Sequence, residues 1–424
     1  MNNDELVDAM VQRLGAEIKS VMAQSRIGRV GAATLEALVR QKLWHFGAQA
    51  MGLLLEAQDA GLVGDRAVHD RPTRTIVTLF GDVDITRSRC TDGSYPLDEA
   101  LQLQGRQGWT AAVQEAVSLL SCDSVFEMVS DLMERLLGVS ISRTRAQEVA
   151  EQAGQLAGVM RRSAPAPEGH DASGKTLVLE TDGCQAPFRD GWHEVKVGAI
   201  YLNESRAKTA GGRGKVLTKE YLGTVDPVAP WAQQFRQAAE LWQVQKAKRV
   251  VMMGDGAPWI WNLADEQFPQ ALQIVDYYHA VEHLWATAEA LWGDRETSAA
   301  TQSWARRQGR QLKKGRADLV MAAIERARAR PGLKLSQPAA ITVRRNLEYF
   351  QTNRHRMQYD RYRRLKLAIG TGAVEGSCKF IVQSRFKKPG ARWSKPGLTQ
   401  MLDLKLSRLN RQWECLWPNL RLTG

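Results

Sequence analysis

The chain has 424 residues, 44% of them hydrophobic, and no window approaches the roughly 18 unbroken apolar residues that a membrane span needs. Its 58 lysines and arginines outnumber 46 acids, a net charge of +12 that favours polyanionic partners, nucleic acid above all. Five scattered cysteines, Cys90, Cys122, Cys184, Cys378 and Cys415, form no CxxC pair, so they are expected to be reduced thiols rather than a disulfide framework or zinc finger. The opening "MNNDELVDAM" has neither the basic start nor the apolar core of a secretory signal, which makes a cytosolic location the expectation.

Residues 1–70 read as helices, with Leu6, Met10, Val11 and Leu14, then Leu35, Leu38, Leu43 and Phe46, at helical spacing. Residues 71–162 begin with β-branched alternation around Gly81-Asp82, which predicts a small hairpin. Helical pattern returns in "SVFEMVSDLMERLLGVSISRTRAQEVAEQAG". Gly138 ends one helix there, and Ser142 caps a second that carries Arg143, Arg145 and Gln147 near its start. That layout matches a helix-turn-helix with DNA-contacting side chains, and it equally matches an ordinary helical hairpin.

Residues 163–174, rich in Pro, Ala, Gly and Ser, read as a linker. From residue 175 to 285 the pattern is three strands, a helix, a strand, a helix and a strand. "KTLVLETDG" is expected to be a strand ending at Asp182, and "KRVVMMGDGAPWIWN" a strand stopping just before Asp255. Residues 286–367 are basic and helical, and residues 368–424 open with "GTGAVEGSCKF", where Glu375 begins a last helix ahead of a basic tail.

Three carboxylates stand out. If the first and fourth strands are neighbours, Asp182 and Asp255 lie side by side and repel unless a cation sits between them. Two Mg²⁺ ions, with Mn²⁺ as a substitute, suit carboxylate oxygen and bind phosphate, and Glu375 is expected to close the site as third ligand. Taken singly, each acid has a structural explanation: a strand-end turn for Asp182, a helix cap for Asp255, a helix N-terminal acid for Glu375. Lys379, Arg385, Lys387, Lys388, Arg392 and Lys395 follow Glu375 with no acid among them before Asp403, a DNA-binding pattern. Trp393 among them is read two ways, as a platform for an unpaired base or as core. Most of the 13 tryptophans are expected to be packing residues.

"ETDG", "GDGAPWIW", "VDYYHAVEHLW" and "GTGAVEGSCK", in this order, resemble the DDE transposases of bacterial insertion sequences, most closely the ISKra-type group. The resemblance runs from about Phe80 to the C-terminus. It implies an α/β, RNase H-like mixed sheet core with an all-helical insertion, preceded by a mainly helical DNA-binding region. It maps the catalytic and metal-holding acids onto Asp182, Asp255 and Glu375. Asp276 and His279 match an Asp-x-x-His signature of related transposases, read as structural or DNA-contacting; a zinc site with His283 is rejected for want of a nearby thiol. The lone Cys90 departs from relatives that carry a small zinc element there.

The function so implied is binding of an element's terminal inverted repeats, followed by metal-dependent DNA cleavage and strand transfer. The enzyme would act on the bacterial nucleoid as a homodimer or higher oligomer on DNA. The alternatives are an RNase H-like nuclease that does not join strands, a domesticated DNA-binding protein, and a metal-dependent phosphatase of small substrates.

Overall fold

A computed structural model describes residues 3–25, 31–101, 108–163, 170–208 and 214–417. Part of the expected linker, residues 164–169, lies outside the described residues. The chain divides into two units, residues 1–162 with 403–424, and residues 163–402. Both helix and sheet are present, the sheets have mixed strand directions, and no described helix is long and apolar enough to cross a membrane.

The first unit opens with two helices, Asn3–Ser25 and Ala32–Val63. The expected hairpin pairs Thr73–Thr78 with Gly81–Thr86, and Ile76, Val83 and Ile85 on it are buried. They meet Val113 and Val117 of helix Ala111–Ser121, Val129 and Met133 of helix Phe126–Leu137, and Val149 of helix Arg143–Ser163. Gly138 ends the middle helix in the left-handed region (φ 67°), where a side chain would be strained. Ser142 Oγ then accepts the Arg145 amide at 3.2 Å, so the second helix starts at the serine that predicts it. From Asp403 the last helix, Lys395–Leu409, contributes to this unit: buried Asp403 pairs with Arg161, and buried Lys405 with Asp123 at 2.9 Å.

The second unit is built on five strands: β1 (Thr176–Phe188), β2 (Gly191–Leu202), β3 (Glu220–Thr224), β4 (Arg249–Gly254) and β5 (Leu272–Val275). Their order is β3-β2-β1-β4-β5, antiparallel from β3 to β1 and parallel from β1 to β5. β4 reads as a continuous apolar run because it is buried between two parallel neighbours. The sequence places the end of the first strand at Asp182, and this is corrected: β1 runs on to Phe188, since its ladder with β2 continues through Phe188↔Gly191. The ladder between β1 and β4, however, ends at Met253↔Glu180. Asp182 therefore sits just past the end of the β1–β4 ladder, one residue before the β2–β3 ladder also ends, at Lys196↔Thr224.

Helix Val228–Leu241 covers one face of the sheet, its Trp231 indole donating to Thr181 Oγ1 at 3.2 Å. After β5 the chain is helical through Tyr277–Trp292, Ala299–Lys313, Ala317–Arg328, Gln337–Asn353 and Tyr359–Arg364. It then returns to the sheet as a helical run of residues 372–386, interrupted by a π-helical turn at Cys378–Gln383.

Candidate active site

Counting two residues past the last β1–β4 pair, Met253↔Glu180, brings Asp255 opposite Asp182. The two strands are thus neighbours, and the two carboxylates share an edge. Burial, and next the charge of Asp255, push the Asp182 carboxyl above its ordinary pKa. Asp182 Oδ1 accepts the Gly183 amide at 2.7 Å, and Asp255 Oδ1 accepts the Ala257 amide at 2.9 Å, closing the turn into helix Pro258–Gln267. The Tyr349 hydroxyl donates to the Asp255 carbonyl at 2.9 Å. Gly256 makes this possible: its φ is +116°, and a Cβ there would strike the Tyr349 ring.

The segment carrying Glu375 hangs from two buried acids. At one end, Asp276 Oδ2 accepts both the amide (2.7 Å) and the hydroxyl of Thr371. Its Oδ1 meanwhile caps helix Tyr277–Trp292 through the amides of Tyr278 and His279. At the other end, the Val374 amide donates to Glu180 Oε2 at 2.8 Å, while the Tyr201 hydroxyl donates to Glu180 Oε1 at 2.5 Å. Burial pushes the Glu180 carboxyl up to about 7. One turn further on, the Cys378 thiol donates to Asp182 Oδ2 at 3.7 Å. The Glu375 backbone accordingly lies over the face of β1 that bears Glu180 and Asp182.

The Glu375 carboxylate itself does not join the two aspartates. It is 59% exposed and paired with Lys379 Nζ at 2.7 Å. Among the described residues, no three His, Cys, Asp or Glu side chains are grouped as a metal ligand set. Two close carboxylates repel a third, and Lys379, one helical turn on, offers it a counter-charge. The donor set of the pair still fits a hard divalent cation: two oxygen acids beside each other, with burial and then the charge of Asp255 raising the pKa of Asp182.

Among the basic candidates, Arg143, Lys379, Lys388 and Arg392 are exposed, and Lys387 is half-buried with its ammonium over the Trp192 ring. Arg145 pairs with Glu148 at 3.1 Å and lies over the Trp109 ring, and Gln147 donates to Glu151 at 2.8 Å. Arg385 and Trp393 are corrected. Both are buried, with the Arg385 guanidinium over the Trp393 ring and the Trp393 indole donating to the Phe386 carbonyl at 3.1 Å. The Trp393 amide and carbonyl also pair with Pro187 and Arg189 at the tip of β1. Neither side chain offers a face to DNA; of its two readings, Trp393 takes the core one. Asp276 is likewise buried and structural, whereas His279 is exposed.

Several residues near the pair carry no obvious sequence signal. His283 stacks on Tyr349 with ring centroids 3.8 Å apart, and burial lowers its pKa. Asn346 Nδ2 donates to Thr287, so its Oδ1 accepts from His283 Nδ1, which puts a proton on Nδ1. Cys184, on β1 two residues past Asp182, shares a hydrogen bond with Cys378 that makes it the more acidic thiol of the two. Among the described residues no disulfide joins the five cysteines, and of the five only Cys415 is exposed.

The chain is 23% identical over 383 residues to the UPF0236 protein in the vanSb 3′ region of Streptococcus gallolyticus, covering 86% of this chain and 80% of that protein. It is 22% identical over 395 residues to a UPF0236 protein of Caldanaerobacter subterraneus subsp. tengcongensis, covering 89% and 78%. Another relative from that organism is 23% identical over 259 residues, covering 58% and 53%, and its name joins eleven locus designations. Residues 30–413 match the model of the Uncharacterised protein family (UPF0236), and the chain belongs to that family.

Proposed function

We propose that the protein is a DNA transposase that binds the terminal inverted repeats of its own element, cleaves there and joins the freed ends to target DNA. The observation that carries this reading is the Asp182–Asp255 pair at the point where β4 stops, with the Glu375 segment laid across the same face. The strand order β3-β2-β1-β4-β5, antiparallel then parallel, supports an RNase H-like core, and the helices between β5 and Glu375 fit an insertion. Relatives whose single name spans many loci of one genome are what a self-multiplying element leaves behind. The basic charge suits a DNA partner.

Asp182 and Asp255 would hold divalent cations, with Glu375 joining once it leaves Lys379. Bound Mg²⁺ would supply activation of the attacking oxygen and stabilisation of the leaving one. This chain's own contribution is positional. Tyr349 and the Ala257 amide fix the Asp255 turn, Asp276 and Glu180 hold the Glu375 segment, and Lys379, when released, is free to meet a phosphate beside the site.

Asp255→Ala tests the reading on labelled DNA carrying the element's ends. Cleavage and joining of a pre-cleaved end should both fall below detection while end binding persists. Retained cleavage would remove Asp255 from the site. Cleavage without joined product in the unaltered protein would instead favour the nuclease reading.

A further inference from the structure

Helix Asn3–Ser25 packs against helix Ala32–Val63, where Glu17 pairs with Lys42 at 3.2 Å. It also presents a second apolar line that this packing leaves in solvent: Val7, Val11, Ile18 and Met22 are 56%, 62%, 51% and 49% exposed. At 100° per residue these four and Gly15 fall within about 80° of arc, a continuous stripe along the helix. Leu35, Val39 and Leu43 of the neighbouring helix are exposed too, and Leu14, Ile18, Val21, Met22, Val39 and Leu43 line a shared apolar groove. Side chains of this size, repeated at three- and four-residue spacing in contact with water, mark an association surface rather than scattered surface apolars.

The stripe is its own complement. A twofold axis crossing the helix between Leu14 and Gly15 sets Val7 of one copy against Met22 of the other, and Val11 against Ile18. The same operation brings Asp8 near Lys19, opposite charges on the flank of the contact. At the crossing stands Gly15, where a Cβ would meet nothing within 4 Å inside the monomer. A glycine in mid-helix costs roughly 0.5–1 kcal/mol relative to alanine, and here the monomer gives no packing reason for it. Close approach of a second helix supplies one.

We propose that this stripe is where a second copy of the chain docks, the two N-terminal helices crossing antiparallel at Gly15 so that two helical hairpins form a four-helix bundle. The contact is isologous, so it closes at a dimer and leaves no free edge for further addition. It needs no DNA, and it stands whether or not the protein is a transposase.

Sedimentation velocity of the full chain without DNA tests it. The unaltered protein at micromolar concentration should sediment at twice 47.3 kDa. The double substitution Val11→Glu/Ile18→Glu, and separately Gly15→Leu, should give the 47.3-kDa species with unchanged circular dichroism, since all three positions are open in the monomer. Asp8→Lys should weaken the dimer about threefold, and adding Lys19→Asp should restore it, as expected of an exposed ion pair and only in an antiparallel pairing. A monomer at every concentration, or dimers that survive both the glutamates and Gly15→Leu, would overturn the proposal. So would a stripe that binds vesicles or another part of the chain while the protein stays monomeric.

Discussion

Asp182 holds a charge that burial and Asp255 both disfavour. Its pKa in the folded chain lies above the ordinary 3.8, through burial and then Asp255. The folded form therefore keeps the proton more tightly than the unfolded one, and stability falls as pH rises from about 3.8 through the folded pKa. Above that window the full destabilisation is present unless a cation offsets it. Asp182→Asn keeps an oxygen for the Gly183 amide and removes the charge. Its melting temperature in chelator should exceed that of the unaltered protein at pH 7–8, and the gain should vanish as pH approaches about 4. Added Mn²⁺ should raise the melting temperature of the unaltered protein and not that of the variant, a comparison thermal melts make directly. At this scale the sequence was readable where chemistry and glycine coincide, at Asp182-Gly183 and Asp255-Gly256. Glu180 was missed although a signal existed: the two-residue strand period puts it on the face of Asp182, and an acid within an apolar strand calls for buried partners. Tyr349 was not readable, because nothing local marks a side chain that packs onto a turn 94 residues away, and His283, named only to reject a zinc site, stacks on it.

At the scale of elements, the loop ahead of Glu375 is held by its ends. Asp276 satisfies two helix-start amides and two groups of Thr371 from one buried carboxylate. Asp276→Ala leaves those donors without an acceptor and should cost about 2–4 kcal/mol in urea unfolding. Thr371→Val removes one hydroxyl and should cost about 1 kcal/mol. If either change is neutral, the Glu375 segment is held by something else. Of the two readings of Asp276 and His279, structural or DNA-contacting, the corner between β5 and helix Tyr277–Trp292 supports the structural one for Asp276; its long-range bond to Thr371 was beyond any local pattern. The end of β1 was misplaced for a related reason. "ETDG" looks like a strand end because glycine and aspartate favour turns, yet twelve residues of β2 keep the ladder going. The π-helical turn at Cys378–Gln383 has no sequence signature and brings Cys378 onto Asp182.

For the whole molecule, charge and order carried most of the reading. The sequence left the first and fourth strands as neighbours only by condition, which the β1–β4 ladder meets, and the long helical stretch before Glu375 follows β5 as expected. Basic residues were overcounted as DNA contacts, because composition does not separate Arg385, buried over Trp393, from exposed Lys388 and Arg392. If the exposed set grips phosphates, affinity for end DNA should fall about 10³-fold or more between 50 and 200 mM salt, as filter binding would show. A shallow salt slope would speak for a small substrate instead. The central claim is that Asp182 and Asp255 share divalent cations and that Glu375 can turn from Lys379 to join them. Crystals grown with Mn²⁺ and a pre-cleaved DNA end, measured for anomalous scattering, test this most directly. The account predicts manganese peaks between the two aspartates with Glu375 rotated inward; crystals with ordered DNA and no peak at that pair would contradict it.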